Sequence, residues 1–351
     1  MIVVPSCVTG ISGYSGSGKT TLIEKALPEL KRQGLYVGVL KHTHHNLLSP
    51  EAGAKDTDRF FKAGADFVFA HDDAQGFAQY RHSGADLLEA LRNFPKGLDL
   101  IIVEGHKSSS ISRLWLATGA AQVPGSGEIS KTVLYRDDPE YLNLFLRHIH
   151  EELVRHRAER PLMSGLLIGG RSGRMGSPKG LLEIRGRTIM EQTYEILSAV
   201  SPRTLLLGAG ELPAGLAAAD RLPDISVVKG PLAGMLSAFR WNPRSAWLIS
   251  SVDMPFMNEE AWQWVLSQRK PGIWAVMPRR EGADTVEATG ACYEPEIFDY
   301  AELLAQKGVS RLQSIAGHPK VIKPFIPRNL EQAWKNVNTP EDWKEILAVM
   351  G

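Results

Sequence analysis

The 351-residue sequence has only two cysteines, Cys7 and Cys292, which lie in different halves of the chain. So little cysteine argues against a disulfide framework and is typical of a reducing cytoplasm, where we expect this protein. No apolar run approaches the roughly 20 residues that span a bilayer, and residues 1–8 lack the basic segment of a signal peptide, so we expect no membrane partner. A net charge of only +1 gives no electrostatic reason to expect nucleic acid as a partner.

The sequence instead carries two glycine-rich loops of different chemical kinds. The first reads Gly-Tyr-Ser-Gly-Ser-Gly-Lys-Thr over 13–20 and fits the P-loop pattern at every fixed position. The second reads Leu-Ile-Gly-Gly-Arg-Ser-Gly-Arg-Met-Gly over 167–176 and is followed by Lys179. It lacks the P-loop spacing but suits a loop wrapped around a nucleoside triphosphate. Two such loops predict two nucleotide domains that serve one pathway.

Both halves alternate between short apolar stretches and amphipathic ones, which predicts strands alternating with helices. The predicted strands are 8–11, 35–40, 66–70, 98–103, 165–168, 204–207, 246–252 and 273–277. The predicted helices are 20–33, 58–63, 85–93, 141–160, 187–199, 232–239 and 259–268. This order predicts an α/β fold of two doubly wound, mainly parallel sheets, a P-loop NTPase-like domain and then a Rossmann-like nucleotidyltransferase domain.

The domain boundary is predicted from the end of the helix at 141–160. Pro161 blocks continuation of that helix, so we place the two domains at 1–160 and 161–351. The basic residues between 155 and 160 suit a helix C-terminus, and we expect them to form a solvated last turn.

The first loop predicts a triphosphate site. Its glycines let backbone N–H groups converge on phosphate oxygens, Lys19 would reach the β- and γ-phosphates, and the Thr20 hydroxyl would hold Mg²⁺. Glu104 ends an apolar strand, where a Walker-B-type carboxylate would lie. The predicted nucleotide-binding residues of this half are Gly13, Gly16, Ser17, Gly18, Lys19, Thr20, Thr21 and Glu104. There is no Asn-Lys-x-Asp base-reading motif, so the loop itself does not choose between ATP and GTP.

Three histidines, His42, His44 and His45, follow the strand predicted at 35–40. Ligand sites of α/β proteins gather at such strand ends. No cysteine or carboxylate cluster with metal-ligand spacing accompanies the histidines. We therefore expect them to form a polar wall facing phosphates or a partner, rather than a metal site.

The second loop predicts transfer chemistry. Backbone amides near Gly169 and Gly170 would hold phosphates, while Arg174 and Lys179 would neutralise the departing pyrophosphate. Asp253 ends a wholly apolar strand, where a lone carboxylate is costly unless a cation pairs with it. Mg²⁺ coordination by Asp253 is the favoured interpretation, with a capping aspartate as the alternative. The combination predicts a nucleotidyltransferase with Lys179, Arg174 and Asp253 as catalytic residues.

The quoted residues resemble two known families. Residues 8 to about 147 resemble the molybdopterin-guanine dinucleotide biosynthesis adaptor family, through 13–21, Leu-Lys-His-Thr-His-His at 40–45, residues 55–57 and 62–65, and Asp-Leu-Ile-Ile-Val-Glu-Gly at 99–105. Residues from about 164 onward resemble molybdenum cofactor guanylyltransferases, through 167–176, Lys-Gly-Leu-Leu at 179–182, Gly-Pro-Leu-Ala-Gly at 230–234, Asp-Met-Pro at 253–255 and 336–341. The whole chain is similar to a fusion of the two.

The resemblance implies that GMP passes from GTP to the phosphate of Mo-molybdopterin and that pyrophosphate leaves, with Mg²⁺ as cofactor. It implies nucleotide contacts by Leu167, Ile168, Gly169 and Lys179, a guanosine contact by Asp224, and Mg²⁺ binding by Asp253. Asn336 and Asn338 are implied near the pterin cofactor or a second metal, with helix capping as the alternative. It further implies a GTP-binding adaptor domain that forms a homodimer, and cofactor-supplying and molybdoenzyme-delivery proteins as partners.

Three positions depart from the family pattern. Ile168 stands where an alanine is usual, Gly208 where a nucleotide-contacting asparagine is expected, and Asp224 lies one residue closer than usual to Gly230. A cytidylyltransferase for the same cofactor is therefore an alternative. A different small-molecule nucleotidylyltransferase fused to a P-loop kinase is another, and a carrier without activity is a third. The presence of Lys179 and Asp253 argues against the carrier.

Overall fold

A computed structural model describes residues 6–42, 59–60, 62–80, 86–106, 109–119, 132–169, 178–226 and 228–350. The described residues form two compact units. The first is drawn from Met1–Arg32, Val37–Pro95 and Leu100–Ile149, and the second from Gln33–Tyr36, Lys96–Asp99 and His150–Gly351. The domain boundary between 160 and 161 stays a prediction. No helix in these ranges is long and apolar enough to cross a membrane.

The first unit contains a five-stranded parallel sheet and a separate hairpin. Its strands are β1 (Cys7–Ser12), β2 (Val37–Lys41), β3 (Phe67–His71), β4 (Gly76–Tyr80), β5 (Leu100–Glu104), β6 (Arg113–Ala117) and β7 (Val133–Tyr135). The sheet order is β2-β5-β1-β6-β7, with every neighbouring pair parallel. Strand β5 is buried along its whole length, as expected for the inner strand of a sheet covered on both faces.

The helices that begin in the first unit and whose bounds lie within the described residues are α1 (Lys19–Arg32), α2 (Leu87–Arg92) and α3 (Tyr141–Ala158). Helix α1 is amphipathic, and its buried face consists of Leu22, Ile23, Ala26 and Leu30. Gly34 follows its end with φ of +79°, a left-handed conformation that terminates a helix at little cost when the residue is glycine. Of the helix predicted at 58–63, residues 59–60 and 62–63 are described, and 59, 60 and 62 are helical.

The β3–β4 hairpin differs from the prediction. The strand predicted at 66–70 pairs antiparallel with β4 in its own two-stranded sheet and does not join the parallel sheet. Large apolar side chains on it face solvent: Phe67 is 59% exposed and Phe69 57%.

The second unit has a seven-stranded mixed sheet. The strands of this unit, seven of them in the mixed sheet, are β8 (Leu162–Leu167), β9 (Glu183–Ile184), β10 (Arg187–Thr188), β11 (Thr204–Leu207), β12 (Arg221–Leu222), β13 (Ala246–Ser251), β14 (Ala275–Val276), β15 (Ala291–Tyr293) and β16 (Val321–Ile322). The order is β12-β11-β8-β13-β15-β14-β16, and β9 and β10 form a separate hairpin. Only β15 among these seven runs antiparallel to its neighbours, so the sheet is mainly parallel.

Alternating side chains of the central strands enter two apolar cores. Leu167, Leu207 and Trp247 pack in one cluster with the helix that follows Gly230, whereas Leu166, Leu206 and Leu248 pack in another. Because neighbouring residues of a strand point to opposite faces, both faces of the sheet are covered. The α/β class and the mainly parallel sheets predicted from the sequence are confirmed.

The helices of the second unit have clear sequence signals. They are α4 (Ile189–Val200), α5 (Pro231–Trp241), α6 (Glu259–Ser267), α7 (Phe298–Gln306) and α8 (Pro340–Met350), with 3₁₀ turns at Lys179–Leu181, Ala214–Leu216, Pro295–Ile297, Leu312–Gly317 and Arg328–Trp334. Thr188 and Glu191 form a capping box at α4, and Asn258 caps α6. Gly230 precedes Pro231 at the first position of α5, where proline has no N–H to leave unsatisfied.

Two basic residues at the end of α3 and just after it, Arg157 and Arg160, are not solvated. Arg157 and Arg160 bind Glu294 at 2.9 and 2.8 Å, and Arg160 also binds Glu296 at 2.6 Å. Arg269 approaches Glu294 from α6's end at 2.8 Å. The side chain of Arg160 is 4% exposed, so the expectation of a solvated basic turn is wrong for Arg157 and Arg160. The local sequence could not reveal this, because the carboxylates that neutralise Arg160, those of Glu294 and Glu296, follow more than a hundred residues later.

Both cysteines are buried and unpaired with each other. Cys7 lies in β1 and Cys292 in β15. Burial raises the pKa of the Cys292 thiol to about 12, so this group stays protonated and unreactive near neutral pH.

Candidate functional site

The P-loop of the first unit lies between β1 and α1, as the sequence predicts. Gly13, Gly16 and Gly18 have φ of +153°, +74° and +95°, which only glycine adopts without strain. A Cβ at Gly13 would lie 2.5 Å from the carbonyl oxygen of Leu116. The glycines therefore allow a tight turn whose backbone N–H groups precede a helix N-terminus, an arrangement that attracts phosphate.

Charged side chains converge on this loop from two strands, β2 and β5, and from helix α1. Lys19 Nζ donates to the carbonyl oxygens of Gly13 (3.2 Å) and Tyr14 (2.7 Å). The Thr20 hydroxyl donates to both oxygens of Glu104, at 3.1 and 3.0 Å. The structure thus brings together the Thr20 hydroxyl, which was predicted to hold Mg²⁺, and the Glu104 carboxylate, which was predicted to lie in a Walker-B-type position.

Lys41 joins this group although no role was predicted for it. Its Nζ lies 3.1 Å from Thr20 Oγ1 and 3.5 Å from Glu104 Oε2. The parallel register pairs Lys41 directly with Glu104, so the two side chains leave the same sheet edge. Register across strands that are far apart in sequence is the information that a single sequence lacks.

His42 also lies at this edge. Its ring centroid is 4.5 Å from that of His106, which adopts a left-handed φ of +49°. Burial lowers the pKa of His106, and neighbouring His42 and Arg113 lower it further, so the neutral ring is favoured. Within the described chain no group of three or more potential metal ligands forms. His44 and His45 lie outside the described residues, and the polar-wall expectation stays a prediction.

The second unit places Lys179, Asp253 and Asn338 together. Lys179 Nζ donates to Asn338 Oδ1 at 2.9 Å and lies 3.8 Å from Asp253 Oδ2. The Ser251 hydroxyl donates to Asp253 Oδ1, and the Val337 N–H donates to the Asp253 carbonyl at 2.8 Å. Residues that are 159 positions apart in sequence, Lys179 and Asn338, thus meet at the end of β13.

Asp224 stands over three glycines at the neighbouring strand end. Cβ atoms built on Gly169, Gly208 and Gly234 would lie 3.8, 3.2 and 3.5 Å from its carboxylate oxygens. Loss of hydration raises the pKa of Asp224, and Arg221 only partly offsets this. Arg221 Nε is engaged by the Gly208 carbonyl oxygen at 2.8 Å. The carboxylate therefore has few donors among its described neighbours and suits a ligand that brings its own.

Leu167 and Ile168 are buried, and Ile168 N–H donates to the Leu207 carbonyl at 3.0 Å. They therefore fix the backbone that leads to Gly169, while the bulky Ile168 side chain packs into the core. Asn336 Oδ1 is buried and has no hydrogen-bond partner within the described part of the chain. Gly170 and Arg174 lie outside the described residues, so their predicted roles stay predictions.

An ion pair that the sequence did not indicate lies near the metal-binding candidate Asp253. Arg280 Nε binds Glu287 Oε1 at 3.1 Å, and an Arg280 Nη2 donates to the Trp334 carbonyl. The pKa of Glu287 is raised, mainly because the carboxyl is buried and further because of the negative charge of nearby Asp253. The positive charge of Arg280 only partly offsets this increase. No motif or regular spacing marks these two residues in the sequence.

The donor set of the second site suits Mg²⁺. Asp253 supplies a carboxylate at a strand end with a side chain 28% exposed, open to a ligand. Mg²⁺ commonly takes one or two carboxylates and completes its shell with substrate phosphates and water. In the first unit, Thr20 and Glu104 supply oxygen donors in the same way.

The fold and these two sites define a class: a P-loop nucleotide-binding unit followed by a nucleotidyltransferase-type α/β unit. The model of the family "Molybdopterin guanine dinucleotide synthesis protein B" matches residues 8–125, and that of the "MobA-like NTP transferase domain" matches residues 165–336. The chain belongs to the first of these families and carries, after it, a MobA-like NTP transferase domain.

Curated relatives match each half separately. The first half is 33% identical to the Escherichia coli molybdopterin-guanine dinucleotide biosynthesis adapter protein, over 38% of this chain and 78% of that protein. It is 39% identical to the Haemophilus influenzae adapter protein, over 30% of this chain and only 61% of that protein. The second half is 25% identical to a probable molybdenum cofactor guanylyltransferase of Aquifex aeolicus, over 52% of this chain and 89% of that protein.

Proposed function

We propose that this chain is a molybdenum cofactor guanylyltransferase fused to a GTP-binding adaptor domain. It transfers GMP from GTP to the terminal phosphate of Mo-molybdopterin and releases pyrophosphate. The observation that carries the proposal is the meeting of Lys179, Asp253 and Asn338 at one sheet edge, in a chain whose sequence has a glycine-rich loop just before Lys179. The names of the curated relatives support the choice of cofactor and nucleotide.

In this reaction a phosphate oxygen of the acceptor attacks the α-phosphorus of GTP, and the bond to the pyrophosphate oxygen breaks. The chain's work is to position the two phosphates and to neutralise the charge that develops. Lys179 does this at the leaving group, and its bond to Asn338 orients the ammonium. Asp253 holds Mg²⁺, which when bound polarises the phosphoryl oxygens.

Guanine selection is assigned to Asp224. The Watson–Crick edge of guanine presents two neighbouring N–H donors, and an ionised carboxylate accepts both. A site built for these donors rejects a base that lacks them, because its acceptor would stay unpaired. Gly208 leaves the approach to Asp224 open, since even a Cβ there would come within 3.3 Å of both carboxylate oxygens.

The acceptor side of the site is assigned to the 336–338 segment. Asn338 is already bound to Lys179, so it links the acceptor and the leaving group. The buried, unsatisfied Oδ1 of Asn336 is an acceptor that an N–H of the pterin would satisfy. Arg174 completes the phosphate contacts, and Gly170 contributes a backbone amide.

The first domain binds GTP through its P-loop with Thr20 and Glu104 on Mg²⁺, and serves as an adaptor that raises the local supply of nucleotide or cofactor. Its partners are cofactor-supplying and molybdoenzyme-delivery proteins, and the compartment is the cytoplasm. We assign homodimerisation to this domain, supported by the exposed Phe67 and Phe69 on the β3–β4 hairpin.

The deciding experiment incubates the 351-residue chain with metallated molybdopterin, Mg²⁺ and an equal mixture of the four nucleoside triphosphates. We expect the guanine dinucleotide as the main product by mass spectrometry, with stoichiometric pyrophosphate. A cytosine dinucleotide as main product would make the protein a cytidylyltransferase, the alternative raised by Gly208 in place of the expected asparagine. Transfer to a sugar phosphate, but not to molybdopterin, would refute the proposal.

A further inference from the structure

The sheet order gives the P-loop of the first unit two different sides. Strand β5, which ends at Glu104, lies on one side of β1, and β6 and β7 lie on the other. Thr20 and Glu104 meet on the β5 side, at 3.0 Å. We expect a triphosphate held by the loop, with its metal on that side, to direct its nucleoside toward the ends of β6 and β7.

Arg136 stands at that second side. It directly follows β7, and its N–H donates to the carbonyl of Ala117, the last residue of β6, at 2.9 Å. The residues after Arg136 form a hydrogen-bonded turn. The Asp138 N–H donates to the Tyr135 carbonyl at 3.1 Å, and Asp138 Oδ1 accepts from the Glu140 N–H at 2.8 Å. The backbone that carries Arg136 is therefore held by hydrogen bonds on both sides.

The stem of Arg136 lies against the P-loop itself. A Cβ built on Gly18 would be 3.1 Å from Arg136 Cδ and 3.9 Å from its Cγ. Gly18 is the residue before Lys19, and Arg136 is exposed. The strand that Arg136 follows, β7, lies on the other side of β1 from β5 and Glu104. Any larger residue at Gly18 would push this side chain off the loop.

Arginine has a specific advantage in this position. Its guanidinium is planar and weakly hydrated, so it packs flat on an aromatic ring, which a lysine ammonium cannot do. Lys19 already supplies the cation for the phosphates. We propose that Arg136 packs its guanidinium against the base of the nucleoside triphosphate held by the P-loop. The inference rests on the proposed nucleotide binding by the first domain.

Because stacking uses the face of the base and not its edge, Arg136 confers affinity without selecting guanine. This fits a domain without an Asn-Lys-x-Asp base-reading motif. It also predicts a clear distinction between two ligands. GTP has a base to stack on, and inorganic tripolyphosphate has only the phosphates.

The test uses the 351-residue chain with Lys179→Ala as the background, because this substitution weakens the second nucleotide site. Isothermal titration calorimetry with Mg²⁺ then measures the binding of GTP and of tripolyphosphate. Adding Lys19→Ala defines the signal of the first site. We expect Arg136→Ala to weaken GTP binding about fivefold to thirtyfold, as loss of a partly desolvated cation–π contact does, and tripolyphosphate binding less than twofold. Arg136→Lys should recover little of the loss.

Arg92→Ala is the matched control, because it removes the same charge from an exposed position on α2. It should leave both ligands unchanged. Equal losses for GTP and tripolyphosphate would place Arg136 on the phosphates and overturn the inference, as would no loss for either. If Lys19→Ala leaves GTP binding intact, the proposal that the P-loop binds GTP is wrong, and the inference about Arg136 is then wrong as well. Arg136→Gln, which keeps most of the stem, provides the same comparison if the alanine variant unfolds.

Discussion

Replacing Arg160 by methionine tests the buried ion network of the second unit. Arg160 holds Glu294 at 2.8 Å and Glu296 at 2.6 Å, and all three side chains are at most 4% exposed. Methionine keeps much of the volume but leaves a buried carboxylate without its main partner. Removing one partner of such a network costs about 3–5 kcal/mol, because the remaining charge stays desolvated.

That loss corresponds to a fall of roughly 6–20 °C in the melting temperature of a unit of this size. Tryptophan fluorescence during denaturant unfolding measures it selectively, since seven of the eight tryptophans lie in the second unit and only Trp115 lies in the first. Arg155→Met is the control, because Arg155 lies only five residues before Arg160, in the last turn of α3, but its side chain is 53% exposed. We expect it to cost under about 1 kcal/mol.

Acid adds a second readout. Burial alone would raise the pKa of Glu294, but Arg157, Arg160 and Arg269 outweigh it and lower that pKa to about 2, from an ordinary 4.5. Ionised Glu294 therefore stabilises the fold fully above pH 4.5, and this contribution is lost as the pH falls toward 2. In Arg160→Met the loss should begin at higher pH. Equal stabilities of Arg160→Met and Arg155→Met at neutral pH would refute the reasoning.

The other predictions concern the two sites. Asp253→Asn should abolish guanylyl transfer with an unchanged fold, and a folded variant with near-normal turnover would remove Asp253 from the site. Lys19→Ala should abolish GTP binding by the first domain while transfer with free cofactor stays largely unchanged; loss of that transfer would refute the division of labour. Gly208→Ala should raise the KM for GTP, since its Cβ would lie 3.2 Å from Asp224 Oδ2 at φ +99°. Gly186→Ala is the control, because Gly186 has φ of +74° but no atom near its Cβ position; this variant should lose about 1 kcal/mol of stability and keep its KM. An equal change of KM in the two alanine variants would refute the close approach of residue 208 to Asp224.

Local signals predicted a large part of this protein. The P-loop, and to within one residue the ends of α1, β5 and β13, followed from residue types and their spacing, because each depends on a few consecutive residues. Strand 204–207 matches the structure residue for residue. The capping box at Thr188 shows why the helix predicted from 187 begins two residues later, since the cap itself stays extended.

Pairing across the chain was beyond reach of the sequence. The pattern at 66–70 is that of a strand, but it carries no sign that the partner is Gly76–Tyr80 and not the parallel sheet. Lys41 beside Glu104, and Arg280 beside Glu287, depend on register and on loop paths. Arg160 looked like a surface residue because its neutralising partner, Glu294, follows 134 residues later.

The two buried cysteines have a practical consequence. Cys7 is 2% exposed and Cys292 1%, and the second thiol resists ionisation, so maleimide reagents have little to react with on the folded protein. A cysteine introduced at an exposed position would then carry a dye without removal of either native residue. Tyr135, exposed and next to Arg136, is such a position, and a fluorophore there would report nucleotide arrival at the first domain in the intact chain.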